Sequence, residues 1–292
     1  MSLAARLVRT VLPPNLAFRA VQRLVAAGIM TDVVVPVDLG GSTPTPLELD
    51  LALGGCVEML VRPPRRSNDR PSLDVFEALA REAQTVFDIG ANIGLFTYVA
   101  AAHATHATIR AYEPNPRLAA LIDRNLVRNG WASRVTVHRE GVSATSEVRT
   151  FYLHDIDVES SFEAARRGGT ANAIAVPVVA LDDVFAREAI DPATAVLKID
   201  VEGHEVPVLD GFAKTLAQRG ARPTLLMEFL GRAITDDRII ERVLDLGLDV
   251  YYVASRGLVR LTSTQSFVPV QELGQWNFLL TDRAPPSAVA IS

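Results

Sequence analysis

The chain has 292 residues, 49% hydrophobic and 22% charged, which suits one large globular domain or one domain with an N-terminal extension. A formal charge of −5 without a basic stripe argues against a nucleic-acid partner. The single cysteine, Cys56, excludes an internal disulfide and any Cys-based zinc site and fits a reducing cytoplasm, and no apolar run reaches the ~18–20 residues of a membrane span.

Residues 1–30 read as two amphipathic helices broken at Pro13-Pro14. Arg6, Arg9, Arg19 and Arg23 interrupt every apolar run, unlike a signal peptide. These helices are expected to pack on the domain or on a second copy, as in a homodimer, with membrane-surface contact as the minor alternative. Residues 31–62 look like β structure, because Asp32-Val-Val-Val-Pro-Val and Leu47-Glu-Leu-Asp-Leu-Ala-Leu alternate or run apolar. The polar, proline-bounded segment from Pro63 to Pro71 reads as a connector. It divides an extension, residues 1–71, from a main domain, residues 72–292, whose first helix runs from Ser72 to about Ala83.

Beyond residue 85, β and α alternate. Strands are predicted at 85–89, 108–113, 134–139, 194–199, 223–229 and 248–254, and helices at 94–103, 116–129, 205–218 and 235–246. Short Val/Ile-rich strands separated by amphipathic helices imply an α/β fold, a mainly parallel sheet with helices on both faces. Residues 146–153 and 174–179 are extra strand-like pieces around a polar loop. The segment 275–281 follows a strand without an intervening helix, which predicts an antiparallel final hairpin.

The most informative stretch is Val86-Phe-Asp-Ile-Gly-Ala-Asn-Ile-Gly94, with Glu113 at the end of the following strand. A dinucleotide fingerprint needs glycine at the first, third and sixth positions, here Gly90, Asn92 and Leu95, so a nicotinamide cofactor is disfavoured. The D-x-G-x-N-x-G pattern, with Asp88, Gly90, Asn92 and Gly94, suits S-adenosylmethionine, which has no pyrophosphate. The helix starting near Gly94 would point its amides at the methionine carboxylate. Glu113 can accept both ribose hydroxyls, with Pro114 after it. Gly141 and Val142, at the tip of the next strand, would lie beside the adenine.

The segment Leu197-Lys-Ile-Asp-Val-Glu-Gly-His-Glu205 places Lys198 and Asp200 in alternation with buried residues, then crowds Asp200, Glu202 and His204 on a turn. Two acids and an imidazole there could bind an acceptor hydroxyl and take its proton; His204 or Asp200 is the expected base, with Glu202 orienting. The plainer alternatives are that Glu202 caps a helix and that His204 lies on its surface. Oxygen and nitrogen ligands would also permit a metal, but three close polar residues on a turn are commonplace and no metal site is assigned. Glu228 ends an apolar strand and needs a partner, for which Lys198 is a candidate. Lys198, Glu228 and Ser161, the last in a lid-like segment Ser160-Ser161-Phe162, are the candidate acceptor-binding residues.

These motifs, with Tyr112-Glu-Pro-Asn115 and Val179-Ala-Leu-Asp-Asp183, resemble the FkbM-type family of S-adenosylmethionine-dependent methyltransferases over about residues 72–281. The resemblance implies a Rossmann-like class I methyltransferase fold with a seven-stranded sheet. It also implies O-methylation of a small-molecule hydroxyl on a natural product, polyketide or sugar. Carried over residue by residue, Asp88, Gly90, Asn92, Gly94 and Glu113 become cofactor residues, and Asp200, Glu202 and His204 catalytic candidates. A metal-assisted O-methyltransferase and a non-catalytic S-adenosylmethionine-binding protein are the alternatives.

Overall fold

Successive residues of a strand point to opposite faces, so a strand with buried apolar residues at adjacent positions must be covered on both. That is the situation of β3 (Thr85–Ile89), β4 (Thr108–Tyr112) and β9 (Ala195–Ile199). In the computed structural model, Val86 joins a hydrophobic cluster on one side of the sheet, while Phe87 and Ile89 join a second cluster on the other. The structure describes residues 13–67, 69–153, 162, 172–229, 237–263 and 277–286.

The main sheet has eight strands in the order β12-β11-β13-β10-β9-β3-β4-β5. The remaining members are β5 (Val135–His138), β10 (Thr224–Glu228), β11 (Asp249–Ala254), β12 (Gly257–Leu261) and β13 (Asn277–Thr281). Strands β5, β4, β3, β9 and β10 are parallel, and β13 inserts antiparallel between β10 and β11. The α/β class, the parallel core and the antiparallel end agree with the sequence reading. The strand count does not: the resemblance implied seven, and Gly257–Leu261 folds back on β11 as an eighth, edge strand. The chain leaves β3 toward β4 on one side and reaches β9 on the other, so the ends of these strands form the topological switch point where ligands bind in such sheets.

On the first face lie α3 (Arg70–Glu82), α4 (Leu95–His103) and α5 (Pro116–Arg128). Helix α5 shows how locally these elements are encoded. Leu118, Leu121, Ile122 and Leu126 fall on one buried stripe. Pro116 opens the helix, and the Asn115 side chain caps it by accepting from the Arg117 amide at 3.0 Å. On the second face lie α6 (Leu181–Arg187), α7 (Glu205–Asp210), α8 (Ala213–Leu216) and α9 (Asp237–Asp245).

The single helix expected at 205–218 is broken at Gly211, where a Cβ would stand 2.1 Å from the Ser143 carbonyl oxygen. A small sheet of β6 (Gly141–Val142), β7 (Glu147–Leu153) and β8 (Asn172–Val179) flanks the carboxyl end of the main one.

The extension contributes α1 (Pro14–Ala26), the antiparallel pair β1 (Val33–Val37) and β2 (Thr45–Leu49), and α2 (Gly54–Val61). Of the two helices expected before residue 30, the first lies outside the described residues. The β reading of 31–62 holds to Leu49 and fails at 54–61. Asp50 accepts from the Ala52 amide at 3.0 Å and turns the chain, and the unbroken apolar run that follows is buried as a helix. Val21, Leu47 and Leu60 share the first cluster with Val86 and Ile109. Polar contacts tighten this packing: Asn125 on α5 accepts from the Glu48 amide at 2.7 Å and donates to the Glu48 carbonyl at 3.0 Å. The boundary expected at 71/72 falls inside the first turn of α3. No helix among the described residues is long and apolar enough to cross a membrane.

Candidate active site

The turn after β3 is held by backbone bonds to both neighbouring strands. The Gly90 and Ala91 amides donate to the Tyr112 carbonyl, each at 3.0 Å, and the Asp200 amide donates to the Ile89 carbonyl at 2.9 Å. Only glycine suits position 90. Its φ is +79°, and a Cβ would lie 1.8 Å from the Asp200 carbonyl oxygen. Asn92 is also left-handed, at φ +53°, as is Glu202 on the facing turn at +51°. Strained non-glycine backbone of this kind costs ~1–3 kcal/mol per residue and clusters at functional sites.

A cleft opens between these turns. Its polar wall is Gly90, Asn92, Glu113, Asp200 and Glu202, and its apolar wall includes Tyr112, Leu118, Val142, Phe151 and Phe162. Glu113 is 5% exposed, and each of its oxygens accepts one amide, Oε2 from Asn92 at 2.7 Å and Oε1 from Asn115 at 2.8 Å. Burial nevertheless pushes its carboxyl up to about 8. The Asn92 Oδ1 is buried without a partner. On the opposite wall, a Cβ at Gly141 would sit 2.4 Å from the Phe162 ring, so glycine is what lets that ring close on β6.

Gly90, Asn92, Glu113, Pro114, Gly141, Val142 and Asp200 thus meet on one cavity, as the sequence suggested. Asp88 and Gly94 do not reach it. Asp88 is 2% exposed and accepts from the Thr97 hydroxyl at 2.6 Å; burial pushes its carboxyl up to about 6. Gly94 caps α4 at φ +88°, and a Cβ there would lie 2.7 Å from Tyr98. Both shape the turn rather than line it.

Two polar clusters flank the cavity. Lys198 is fully buried, with Nζ 3.4 Å from Asp200 and 3.6 Å from Glu228, and its ammonium stands 4.9 Å over the Phe96 ring. Burial lowers the Lys198 pKa, but Asp200, Glu228 and Asp88 outweigh it and the net direction is up. Glu228 accepts from the Asn277 amide group at 3.2 Å; the Asp200 charge, then burial, hold its carboxyl well above the ordinary range.

The second cluster overturns the base role expected for His204. Its imidazole is 1% exposed, lies on the wall of neither this cavity nor the one beside α2, and packs against Phe162 with ring centroids 4.9 Å apart. Nε2 is 3.0 Å from the Ser143 hydroxyl, which in turn accepts from Arg149 at 3.0 Å. The tautomer of the imidazole decides which of Ser143 and Nε2 donates. Burial, with Arg149 adding to it, pushes His204 down to about 4. Among the described residues, the ring faces Ser143 and Phe162 and not the cavity wall. The surface position weighed for His204 is excluded by the same burial.

Ser161, with Ser160, lies outside the described residues. Phe151, Leu118 and Tyr112 were not anticipated as wall residues. Their signal was ordinary strand and helix hydrophobicity, which does not distinguish a cavity wall from a core. Among the described residues, no three His, Cys, Asp or Glu side chains are grouped to hold a metal ion.

Residues 88–249 match the family described as Methyltransferase FkbM domain. The 31-O-demethyl-FK506 methyltransferase FkbM of Streptomyces tacrolimicus is 35% identical over 158 residues, covering 45% of this chain and 60% of that protein. The hexuronic acid methyltransferase AglP of Haloferax volcanii is 30% identical over 150 residues, covering 50% of this chain and 59% of that protein. The chain thus spans about three-fifths of the length of these two relatives. Among solved structures, methyltransferase FkbM from Methylobacillus flagellatus aligns with 77% of this chain and 54% of its own, at 15% identity and a TM-score of 0.44.

Proposed function

Because the chain belongs to the FkbM family of S-adenosylmethionine-dependent methyltransferases, we propose that it methylates a hydroxyl of a small-molecule natural product, polyketide or sugar. The observation that carries this reading is Glu113: a carboxylate with both oxygens fixed by backbone amides, on the wall of a cavity at the switch point. Each oxygen keeps a lone pair for one hydroxyl of a ribose diol. The unpartnered Asn92 Oδ1 and the close approach at Gly90 fit a ligand seated against the turn. Gly141 and Val142, with Phe151 and Phe162 beside them, form an apolar slot suited to adenine.

When bound, S-adenosylmethionine supplies a methyl group on a cationic sulfur, an electrophile that needs no further activation. The chain's task is to orient an acceptor oxygen and take its proton. Asp200 stands on the cavity wall, and Glu228 beside it holds a proton more tightly than an ordinary carboxylate. A base with a pKa near the working pH is the more effective one. Asp200 and Glu228 therefore receive the proton, Lys198 keeps the pair compact, Glu202 orients, and His204 supports Phe162. The two relatives, a 31-O-demethyl-FK506 methyltransferase and a hexuronic acid methyltransferase, support a small-molecule acceptor.

Calorimetric titration with S-adenosylhomocysteine, using NAD as control, tests the reading. One-to-one micromolar binding of the former alone is expected. Equal binding of both ligands, or binding of neither to cofactor-free protein, would overturn it.

A further inference from the structure

We infer that a second cavity, walled by the N-terminal extension, is the acceptor site, and that it takes an uncharged or cationic polyhydroxylated molecule such as a glycoside rather than a carboxylate. The inference rests on the methyltransferase reading and adds the acceptor class to it.

The cavity lies between Glu58 and Met59 of α2, Arg62 just after it, Ser67 and Asp69 of the connector, and the turn Asn92–Leu95. Asn92 walls both cavities, so both border the turn proposed to hold the cofactor. The strand register aims the polar groups the same way. Leu197 and Ile199 join the second core cluster, so Lys198 and Asp200 project toward the first, where the extension packs. Glu228 alternates with Met227 in the same sense, and Asp69 is near enough to act on it electrostatically. The proposed proton acceptors and the extension's cavity therefore share one side of the sheet.

Charge selects the class of molecule. Glu58 and Arg62 offset each other at 3.0 Å, and Arg62 also donates to the Asn15 side chain at 2.6 Å. Beyond that pair, Asp69 leaves one uncompensated negative charge on the wall that the described residues form. A carboxylate would enter against this surplus, whereas hydroxyls find both acceptors and donors. Met59, Ile93 and Leu95 give the apolar floor that the C–H face of a sugar ring requires. The family match begins at residue 88, so α2 and the connector, which form this wall, lie outside it.

Saturation-transfer NMR on the full chain loaded with S-adenosylhomocysteine tests this with three methyl glycosides of different charge: β-glucoside, β-glucosaminide and β-glucuronide. The first two should bind, and the glucuronide about fivefold more weakly. Glu58→Trp fills the cavity from a half-exposed position on α2. It should abolish binding of all three while leaving calorimetric affinity for S-adenosylhomocysteine unchanged. Asp69→Lys should strengthen glucuronide binding about fivefold. Equal binding of glucuronide and glucoside, no glycoside binding, or an unaltered signal in Glu58→Trp overturns the inference. Failure of the wild-type protein to bind S-adenosylhomocysteine instead sinks the methyltransferase reading beneath it.

Discussion

The segment 198–204 feeds two polar clusters of opposite character. Lys198 and Asp200, with Glu228, form a charged group that reaches the cavity; His204, with Ser143 and Arg149, forms a closed one behind Phe162. Burial acts on both, yet Lys198 stays charged because the surrounding carboxylates outweigh it, while at His204 burial prevails and Arg149 adds to it instead of opposing it. Residue type therefore does not say which side chain is the base. The sign of the surrounding charge and the path to the cavity do.

The two clusters should differ most when the acids of the charged one are removed. Asp200→Asn or Glu228→Gln should lower kcat by about 10²–10⁴-fold with little change in S-adenosylhomocysteine affinity, as loss of a general base does. Turnover that survives in both variants would remove them from proton transfer. Lys198→Met should come next. It leaves buried carboxylates without their cation and should cost about 3–5 kcal/mol in denaturant unfolding. A loss under about 1 kcal/mol would mean that the carboxylates are protonated and the cluster is not an ion network.

Glu113→Gln should weaken S-adenosylhomocysteine binding by about 10–100-fold, the worth of charge-assisted bonds to a diol. Its pH dependence gives an independent reading. Glu113 titrates near 8 when folded against 4.5 as a free side chain, so the unfolded chain releases this proton first. Stability falls as pH rises from 4.5, and the full cost is present above about 8. Ligand affinity runs the other way: if the carboxylate binds the diol, affinity should rise about tenfold between pH 7 and 9. Glu113→Gln should flatten that rise, and a flat wild-type profile would show that the neutral acid binds.

The smallest effect on turnover is expected at His204. His204→Ala should cost about 1–3 kcal/mol of stability, because Ser143 loses a buried partner, yet change kcat less than about threefold. A hundredfold loss of kcat at unchanged ligand affinity would return the base role to His204 and erase the contrast between the clusters.

Much of the site is contiguous and was readable for that reason. The turn from Asp88 to Gly94 and the acid at 113 belong to one strand-turn-helix-strand unit, whose period-2 and 3.6-residue patterns are local. The same alternation put Lys198 and Asp200 on one side of β9 before any fold was known. The extension was harder: Leu47–Leu49 alternates as a strand does, but 54–61 is apolar throughout, and periodicity alone does not separate a buried helix from a buried strand.

Local patterns already encode the parallel sheet, its switch point and the turn from Gly90 to Glu113, because hydrophobic period and glycine dihedrals act over a few residues. Long-range packing is what turns Asp88 to Thr97 and away from the cavity, buries His204 against Phe162, and makes α2 the wall of a second cavity. Those outcomes depend on contacts such as Ser143 with His204, 61 residues apart, and Asn125 with Glu48, 77 apart. Exposure and pKa are properties of what the rest of the chain places around a side chain, and no local pattern carries that information.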